Sequence, residues 1–235
     1  MEPYTYLLLD VGSLLGPLAL SFDRRVAFFR SWKALFPAIA ATALLFIVWD
    51  VYFTEMGVWG FNPDFLTGPS LLGLPLEECL FFFVVPYACV FVYEVIGSYF
   101  PAKENSQWSK SLAIALAIVL FMIGVWKWDH WYTGLTFLGT AALLLFNVFI
   151  LKPAYLGKFW RGYFVSLIPF LIINGVLTAL PVVWYNNDEN LGIRITTIPI
   201  EDSIYLVWLL LMCVNIFEGL KTRSAKTRAV LSGLK

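Results

Sequence analysis

The sequence predicts an all-α membrane protein that crosses the bilayer several times. Of its 235 residues, 60% are hydrophobic and only 14% are charged, whereas soluble domains carry about 25% charged residues. Apolar stretches recur at the length of about 20 residues that a transmembrane helix requires. The 16 basic and 16 acidic side chains cancel, so the chain lacks the positive field of a nucleic-acid-binding protein. Composition therefore argues against a soluble domain, a disordered chain and a nucleic-acid partner.

Seven apolar stretches predict seven transmembrane helices. The first is the shortest, and the third contains a proline, Pro86, which predicts a kink in that helix. The predicted spans are Tyr4–Leu20, Ala34–Asp50, Leu76–Phe100, Ser109–Trp128, Trp131–Leu151, Gly162–Pro181 and Pro199–Leu220.

The distribution of Lys and Arg predicts how the chain sits in the membrane. Fourteen of the 16 basic residues fall in loops or tails on one side, and only Lys127 and Arg194 lie on the other. Because cytoplasmic loops carry the excess of basic residues, the N-terminus is expected outside and the C-terminus in the cytoplasm. We expect a multi-pass protein of the cell inner (cytoplasmic) membrane.

An internal repeat organises these helices. Residues Leu74–Glu78 match Ile198–Asp202 at an offset of 124, and the same register holds without a gap from about residue 50 to 94. Further pairs in this register are Asp50 with Asn174, Asn62 with Asn186, Cys89 with Cys213, and Glu94 with Glu218. The sequence therefore predicts a 3+1+3 tandem repeat in which both three-helix units enter the membrane in the same direction. The predicted units are residues 1–100, a linker with the fourth helix at 101–130, residues 131–221, and a basic tail at 222–235.

The repeated Pro-x-acid-acid motif is the best candidate for chemistry. Proline suits the first turn of a helix, so Glu77-Glu78 and Glu201-Asp202 are expected at the start of the third and seventh helices. Adjacent helical residues lie about 100° apart, so one acid of each pair can face the axis while the other caps the helix or bridges to a neighbour. Carboxyl groups facing one apolar cavity could supply both a Brønsted acid and a base.

Other polar side chains could support these acids. Asp10 lies inside the first predicted span, and an intramembrane carboxyl group is a candidate site residue. Asp50, Asn62, Asn174 and Asn186 are expected to orient the motif carboxyl groups. Glu94 and Glu218 lie about 25 Å deeper and are expected to pair with basic residues. Aromatic side chains that could contact a substrate are Phe81, Phe82 and Tyr205.

Three classes of function remain open at this point. The first is a membrane enzyme doing acid–base chemistry without a cofactor on a lipid-dissolved substrate. The second is a small-solute transporter, because the SWEET transporters share the 3+1+3 parallel repeat. The third is a non-catalytic scaffold, which leaves the repeated acids unexplained. The chain has no dinucleotide fingerprint, and its three cysteines have no metal-ligand spacing, so neither a cofactor nor a metal is expected.

The two motifs resemble those of the integral-membrane lycopene cyclases. The resemblance rests on Pro75–Glu78, on Pro199–Asp202 and on the Gly-Val-Trp-Gly-Phe-Asn stretch at 57–62, and it spans nearly the whole chain. In some bacteria such enzymes consist of two small subunits, and in others the two halves are fused; this chain resembles a fused form. They are distinct from the flavin-dependent lycopene cyclases.

The resemblance implies the substrate and the reaction. Lycopene is an acyclic C40 hydrocarbon dissolved in the bilayer, and its ends would close to β-ionone rings, giving γ-carotene and then β-carotene. The acid and the base would come from the four motif residues Glu77, Glu78, Glu201 and Asp202. The resemblance does not assign which of them is the acid and which is the base. The implied partners are the carotenoid substrate, the lipid bilayer and other enzymes of carotenoid biosynthesis.

Overall fold

Seven helices make up most of the protein. A computed structural model describes residues 2–100 and 107–233, with only the backbone for residues 224–233. The helices are α1 (Thr5–Leu20), α2 (Trp32–Glu55), α3 (Leu76–Tyr99), α4 (Gln107–Trp126), α5 (Trp131–Leu145), α6 (Leu156–Ala179) and α7 (Ile200–Gly233). A π-helical segment, Phe146–Leu151, continues α5. Lys103 and the side chains of Lys226, Arg228 and Lys235, on which the orientation partly rests, lie outside the described residues.

Six of the helices, α2 to α7, are long and apolar enough to cross a membrane, as judged over the described residues. Helix α1, with 16 residues, is shorter, so its role as a seventh span stays a prediction. Helix α2 begins and ends outside its predicted span, whereas α6 begins six residues before its predicted span and ends two residues inside it. Helix α3 continues through Pro86.

The structure reproduces the predicted repeat register. Every element from α2 to the start of α3 recurs 124 residues later with the same length. The strands concerned are β1 (Trp59–Phe61), β2 (Ser70–Leu71) and β3 (Leu74–Pro75), which correspond to β4 (Val183–Tyr185), β5 (Arg194–Ile195) and β6 (Ile198–Pro199). Short 3-10 helices, Pro63–Phe65 and Asn187–Glu189, also correspond.

The strands join the two repeats at one end of the helix bundle, which we call the loop end. Strand β1 of the first repeat pairs antiparallel with β4 of the second, and Gly60 lies opposite Trp184. A Cβ atom at Gly60 would meet the Trp184 ring at 2.4 Å, so the close approach of the two loops requires glycine there. Within each repeat a two-residue hairpin, β2–β3 or β5–β6, leads directly into α3 or α7.

Helices α3 and α7 form the centre of the bundle and are its most buried spans. Each packs on the first helix of its own repeat, α3 on α1 and α7 on α5. Each also packs on the second helix of the other repeat, α3 on α6 and α7 on α2. Because of this exchange, the beginnings of α3 and α7 share the space at the loop end.

Four charged side chains tie α3, α6 and α7 together at the opposite end. Lys158 lies 2.7 Å from Glu94, and Lys221 lies 3.0 Å from the same carboxylate. Glu218 lies 3.7 Å from Lys158 and accepts a hydrogen bond from Tyr93 at 2.6 Å. The predicted pairing of Glu94 and Glu218 with basic residues is confirmed.

Candidate active site

A small cavity of ≈ 50 Å³ at the loop end brings the two acidic motifs together. Only the second acid of each motif, Glu78 and Asp202, lines it. Both carboxyl groups are buried. The other polar lining residues are Tyr6, Asp50, Tyr132, Asn174, Thr178, Tyr185 and Tyr205, and the aromatic ones are Trp59, Phe61, Phe81 and Phe170.

Asp202 accepts hydrogen bonds from three neutral donors. The Tyr132 hydroxyl donates to Oδ1 at 2.6 Å. The Tyr185 hydroxyl and the Asn174 side-chain amide both donate to Oδ2, at 2.9 and 3.0 Å. These three donors favour the ionised carboxylate, because hydrogen bonds to the charged form stabilise it. Asp202 is therefore equipped to act as a base.

Tyr185 remains a donor because it is protonated. It lies in β4, outside the membrane spans, and burial together with the adjacent Asp202 charge raises its pKa well above the ordinary tyrosine value. The Tyr132 and Tyr185 rings stack on each other with centroids 5.9 Å apart. This stacking fixes both hydroxyl groups against the same carboxylate.

Glu78, at the equivalent position of the first repeat, has different neighbours. It accepts one hydrogen bond, from the Tyr6 hydroxyl at 2.5 Å. The residue equivalent to Asn174 is Asp50, whose carboxyl group lies against that of Glu78. The residue equivalent to Tyr185 is Phe61, which has no donor. Two adjacent buried carboxyl groups cannot both be ionised without a large energetic cost, so they favour holding a proton between them.

Asp50 is itself held in place. Its Oδ1 accepts hydrogen bonds from the Trp59 indole N–H at 2.5 Å and from the Thr54 hydroxyl at 3.4 Å. Its Oδ2 accepts no hydrogen bond from the described residues. The Trp59 ring packs edge-on against Tyr132 with centroids 5.0 Å apart, so the partners of the two carboxyl groups contact each other.

The first acids of the motifs, Glu77 and Glu201, anchor the loops. Glu77 Oε1 accepts hydrogen bonds from the backbone N–H and the hydroxyl of Thr67, at 2.7 and 2.6 Å. Glu201 Oε1 accepts from the Leu191 N–H at 2.8 Å and from the Thr133 hydroxyl at 2.6 Å. Neither residue lines the cavity. The expectation that one acid of each pair faces the axis while the other bridges to a neighbour agrees with this geometry.

The remaining polar candidates divide into two groups. Asp50 and Asn174 line the cavity beside the motif acids, as expected. Asn62 and Asn186 do not orient those acids: their side-chain oxygens accept the backbone N–H of Asp64 and Asp188 and cap the short 3-10 helices. The expectation that these two asparagines orient the motif acids is therefore corrected. An asparagine side chain readily accepts a hydrogen bond from the backbone N–H two residues further along the chain, and this local bond is favoured over a long-range one.

Asp10 is buried in α1 and lies near Glu77 rather than in the cavity. Its Oδ2 and Glu77 Oε2 both accept no hydrogen bond from the described residues. Among the aromatic candidates, Phe81 and Tyr205 line the cavity. Phe82 is fully buried and packs on Phe46, with ring centroids 6.3 Å apart.

Four site residues were not predicted from the sequence: Tyr6, Trp59, Tyr132 and Tyr185. Tyr185 is in the repeat register, where it matches Phe61, and Trp59 lies two residues before Phe61 on β1. Both could have been found by asking which side chains of these strands contact the motif acids. Tyr6 and Tyr132 make equivalent hydrogen bonds but lie 126 residues apart, two more than the register. A search at a fixed offset of 124 therefore misses them.

Comparison with known proteins agrees with the duplicated site. The profile of the family described as lycopene cyclase matches residues 3–96 and 129–220. This chain belongs to the lycopene cyclase family. The two matched segments contain one acidic motif each, so the family profile covers both three-helix regions and leaves out all of α4.

Several curated fungal proteins are similar to this family member. A bifunctional lycopene cyclase/phytoene synthase of Neurospora crassa is 31% identical over 98 residues, covering 39% of this chain and 16% of the fungal protein. One of Podospora anserina is 24% identical over 221 residues, covering 90% of this chain and 35% of its own length. The chain thus corresponds to about a third or less of these relatives. No solved structure matches it.

Proposed function

We propose that this protein is a lycopene β-cyclase that closes the acyclic ends of lycopene by acid–base chemistry without a cofactor. Membership of the lycopene cyclase family supports the substrate. The observation that carries the mechanism is the unequal environment of Glu78 and Asp202 on one cavity. Cyclisation moves a proton onto the substrate and removes another, with no net redox change, and these two carboxyl groups match the two steps.

The first-repeat pair, Glu78 with Asp50, is the acid in this proposal. A proton held between two carboxyl groups that face aromatic rings is poorly solvated and close to the cavity. It is transferred to the terminal double bond of lycopene, and the electron pair of that bond forms the new C–H bond. The resulting cation is attacked by the neighbouring internal double bond, which closes the six-membered ring.

The second-repeat carboxylate, Asp202, is the base. Ring closure leaves a cation on the ring, which the Asp202 charge and the faces of Trp59, Phe81 and Tyr205 stabilise. Asp202 then removes a ring proton, and the C–H electrons form the ring double bond. Substrate and product have the same composition, so the proton must return from Asp202 to the acid pair before the next turnover.

The same proposal includes the membrane topology. Seven spans in a 3+1+3 parallel repeat, with the N-terminus outside and the C-terminus in the cytoplasm, agree with the location of both motifs at one end of the bundle. The loop end would then face the outside of the cytoplasmic membrane. Reporter fusions at the α3–α4 connection and at the C-terminus test this: both should report a cytoplasmic location, and a periplasmic signal from either would contradict it.

Expression in a lycopene-accumulating bacterium tests the activity. Chromatography of the pigments should show γ-carotene and β-carotene replacing lycopene, and none with the matched variant Glu78→Gln at equal abundance in the membrane. Purified protein in detergent should act without flavin or nicotinamide. Unchanged lycopene in cells with abundant membrane-inserted protein would refute the activity, and strict dependence on a reduced cofactor would refute the mechanism.

A further inference from the structure

A second, larger cavity lies along the membrane part of the bundle between α1, α3 and α6. Its volume is ≈ 290 Å³, and its lining is almost entirely apolar. Its floor is formed by buried residues such as Phe81, Cys89 and Phe170. At its rim Ile172 is 61% exposed, and Gly12 has no neighbour within 4 Å of where its Cβ would be. We call this feature the lateral groove.

The lateral groove adjoins the acid cavity. Phe81, Phe170 and Asn174 line both. Asn174 also donates the hydrogen bond to Asp202, so the upper end of the groove lies directly behind the proposed base. On α3 the lining extends from Phe81 to Val92, about 16 Å along the helix axis. The groove is therefore elongated along the membrane span.

In the second repeat tryptophan side chains occupy the matching space, although the backbone has the same element order. Pseudo-symmetry would put the matching groove between α5, α7 and α2. There Trp49 corresponds to the groove residue Ile173, and Trp208 corresponds to Val84, next to the groove residue Val85, at the offset of 124. The two indole rings lie 5.0 Å apart and pack on Phe46. The Trp208 ring also occupies the space beside Gly139, where a Cβ would meet it at 2.0 Å.

We propose that the lateral groove is the binding site for the polyene chain of the substrate, with one acyclic end reaching the acid cavity past Phe81 and Phe170. This deepens the proposed function and rests on it. A hydrocarbon confined to the bilayer has to enter sideways, and the groove is an apolar opening between helices that leads to the carboxyl groups. Its lining offers hydrophobic contact along an extended chain, as small-molecule sites generally do.

The filling of the equivalent space in the second repeat has a consequence for the order of events. Both ends of lycopene must use the same acid and base, because the equivalent path in the second repeat is filled by Trp49 and Trp208. The monocyclic product therefore leaves the groove and re-enters with its other end first. With lycopene in large excess over the protein, γ-carotene should accumulate before β-carotene.

Two residues on α1 allow a matched test. Gly12 lines the lateral groove, whereas Leu15, which is 60% exposed, does not. Leu15 follows the groove residue Ser13 by two positions, so it lies about 160° round the helix from Ser13. No atom lies within 4 Å of the Gly12 Cβ position, so Gly12→Trp fills the groove, and Leu15→Trp adds the same side chain outside it. Should Gly12→Trp not accumulate in the membrane, Gly12→Phe replaces it, with Leu15→Phe as its control.

The measurement is the amount of lycopene that stays bound during purification from lycopene-accumulating cells, in an inactive Glu78→Gln background. We expect Gly12→Trp to retain at least tenfold less lycopene than Leu15→Trp, and in the active background to lose cyclisation to the same degree. Equal retention by the two variants, or equal loss in both, would overturn the groove assignment. If the unmodified protein fails to cyclise lycopene, the proposed function fails separately, because retention is measured without turnover.

Discussion

The two halves of this protein share a backbone but differ in the side chains around their motif acids. In the first half Glu78 lies beside a second carboxyl group, Asp50, and in the second half Asp202 is surrounded by neutral donors. The repeat thus supplies two carboxyl groups at one cavity, and in the proposed mechanism their different neighbours make one an acid and the other a base. A symmetric site with two identical acids would lack that distinction.

The same contrast extends into the membrane part of the bundle. In the first half small and aliphatic residues leave the lateral groove open, and in the second half Trp49 and Trp208 fill the equivalent space. Unequal chemistry and unequal access therefore occur together. Substitutions that make one half resemble the other test whether the differences matter.

The largest effect is expected from removing either proposed catalytic carboxyl group. Glu78→Gln and Asp202→Asn should each lower the rate of cyclisation by about 100- to 10,000-fold, the usual contribution of a general acid or base. The rate is measured on purified protein in lycopene-containing liposomes. Asp64→Asn, an exposed acid of the same loop region, is the matched control and should be unaffected. Near-normal rates in both variants would refute the assignment.

A smaller loss is expected when the first half is made to resemble the second at one position. Asp50→Asn copies Asn174 and leaves Glu78 without a carboxyl partner to share its proton, so we expect a loss of about 10- to 100-fold. The reciprocal change, Asn174→Asp, places a carboxyl group beside Asp202 and should also slow the reaction. Wild-type rates in Asp50→Asn would show that Glu78 needs no partner.

Tyr185→Phe makes the second half resemble the first, which has Phe61 there. It removes one of three donors to Asp202, and we expect a loss of about tenfold, since a hydrogen bond to a charged group contributes about 1.5–3 kcal/mol. Burial and the Asp202 charge raise the Tyr185 pKa, so the donor is present below the ordinary tyrosine pKa of about 10 and would be lost only well above it. Ionisation of Tyr185 should therefore cause no fall in the wild-type rate up to about pH 10. If the wild-type rate fell below about pH 10 and the Tyr185→Phe rate did not, the account would be contradicted.

The smallest effect on chemistry is expected at the loop anchors. Glu77→Gln and Glu201→Gln keep the Oε1 acceptor that holds Thr67 or Leu191, so cyclisation should stay within about threefold of wild type. Glu77→Ala removes the acceptor and should lower the free energy of unfolding by ~1–3 kcal/mol, seen as a lower thermal midpoint. If Glu77→Gln abolished activity in a stable protein, Glu77 would join the catalytic groups.

Much of the architecture could be predicted because equivalent residues of the two repeats are separated by a constant 124 positions in the sequence. Composition indicates a membrane protein, and the 124-residue register gives the corresponding elements. The motif predicted acids at the start of two central helices, and helical geometry predicted that only one of each pair would face the axis. Which one does so depends on the loops: Thr67 and Leu191 bind the first acid of each pair, and no sequence pattern indicated those bonds.

The unpredicted part of the site comes from contacts between repeats and from one change of register. Strand β1 of the first repeat pairs with β4 of the second, and this pairing brings Trp59 and Tyr185 to the cavity. Tyr6 and Tyr132 depart from the register by two residues, so the self-comparison that revealed the motifs could not reveal them. The two asparagines assigned to the motif acids, Asn62 and Asn186, instead cap local turns.

Proton delivery and proton removal can be separated by isotope exchange, which tests the division of roles between the halves most directly. Lycopene is incubated in D2O with the Glu78→Gln and the Asp202→Asn proteins, and the recovered acyclic lycopene is analysed by mass spectrometry. With Asp202→Asn, the intact acid should protonate the substrate reversibly, so the lycopene gains deuterium without forming rings. With Glu78→Gln, no deuterium should enter. Exchange with Glu78→Gln but not with Asp202→Asn would reverse the roles of the two carboxyl groups and contradict the account.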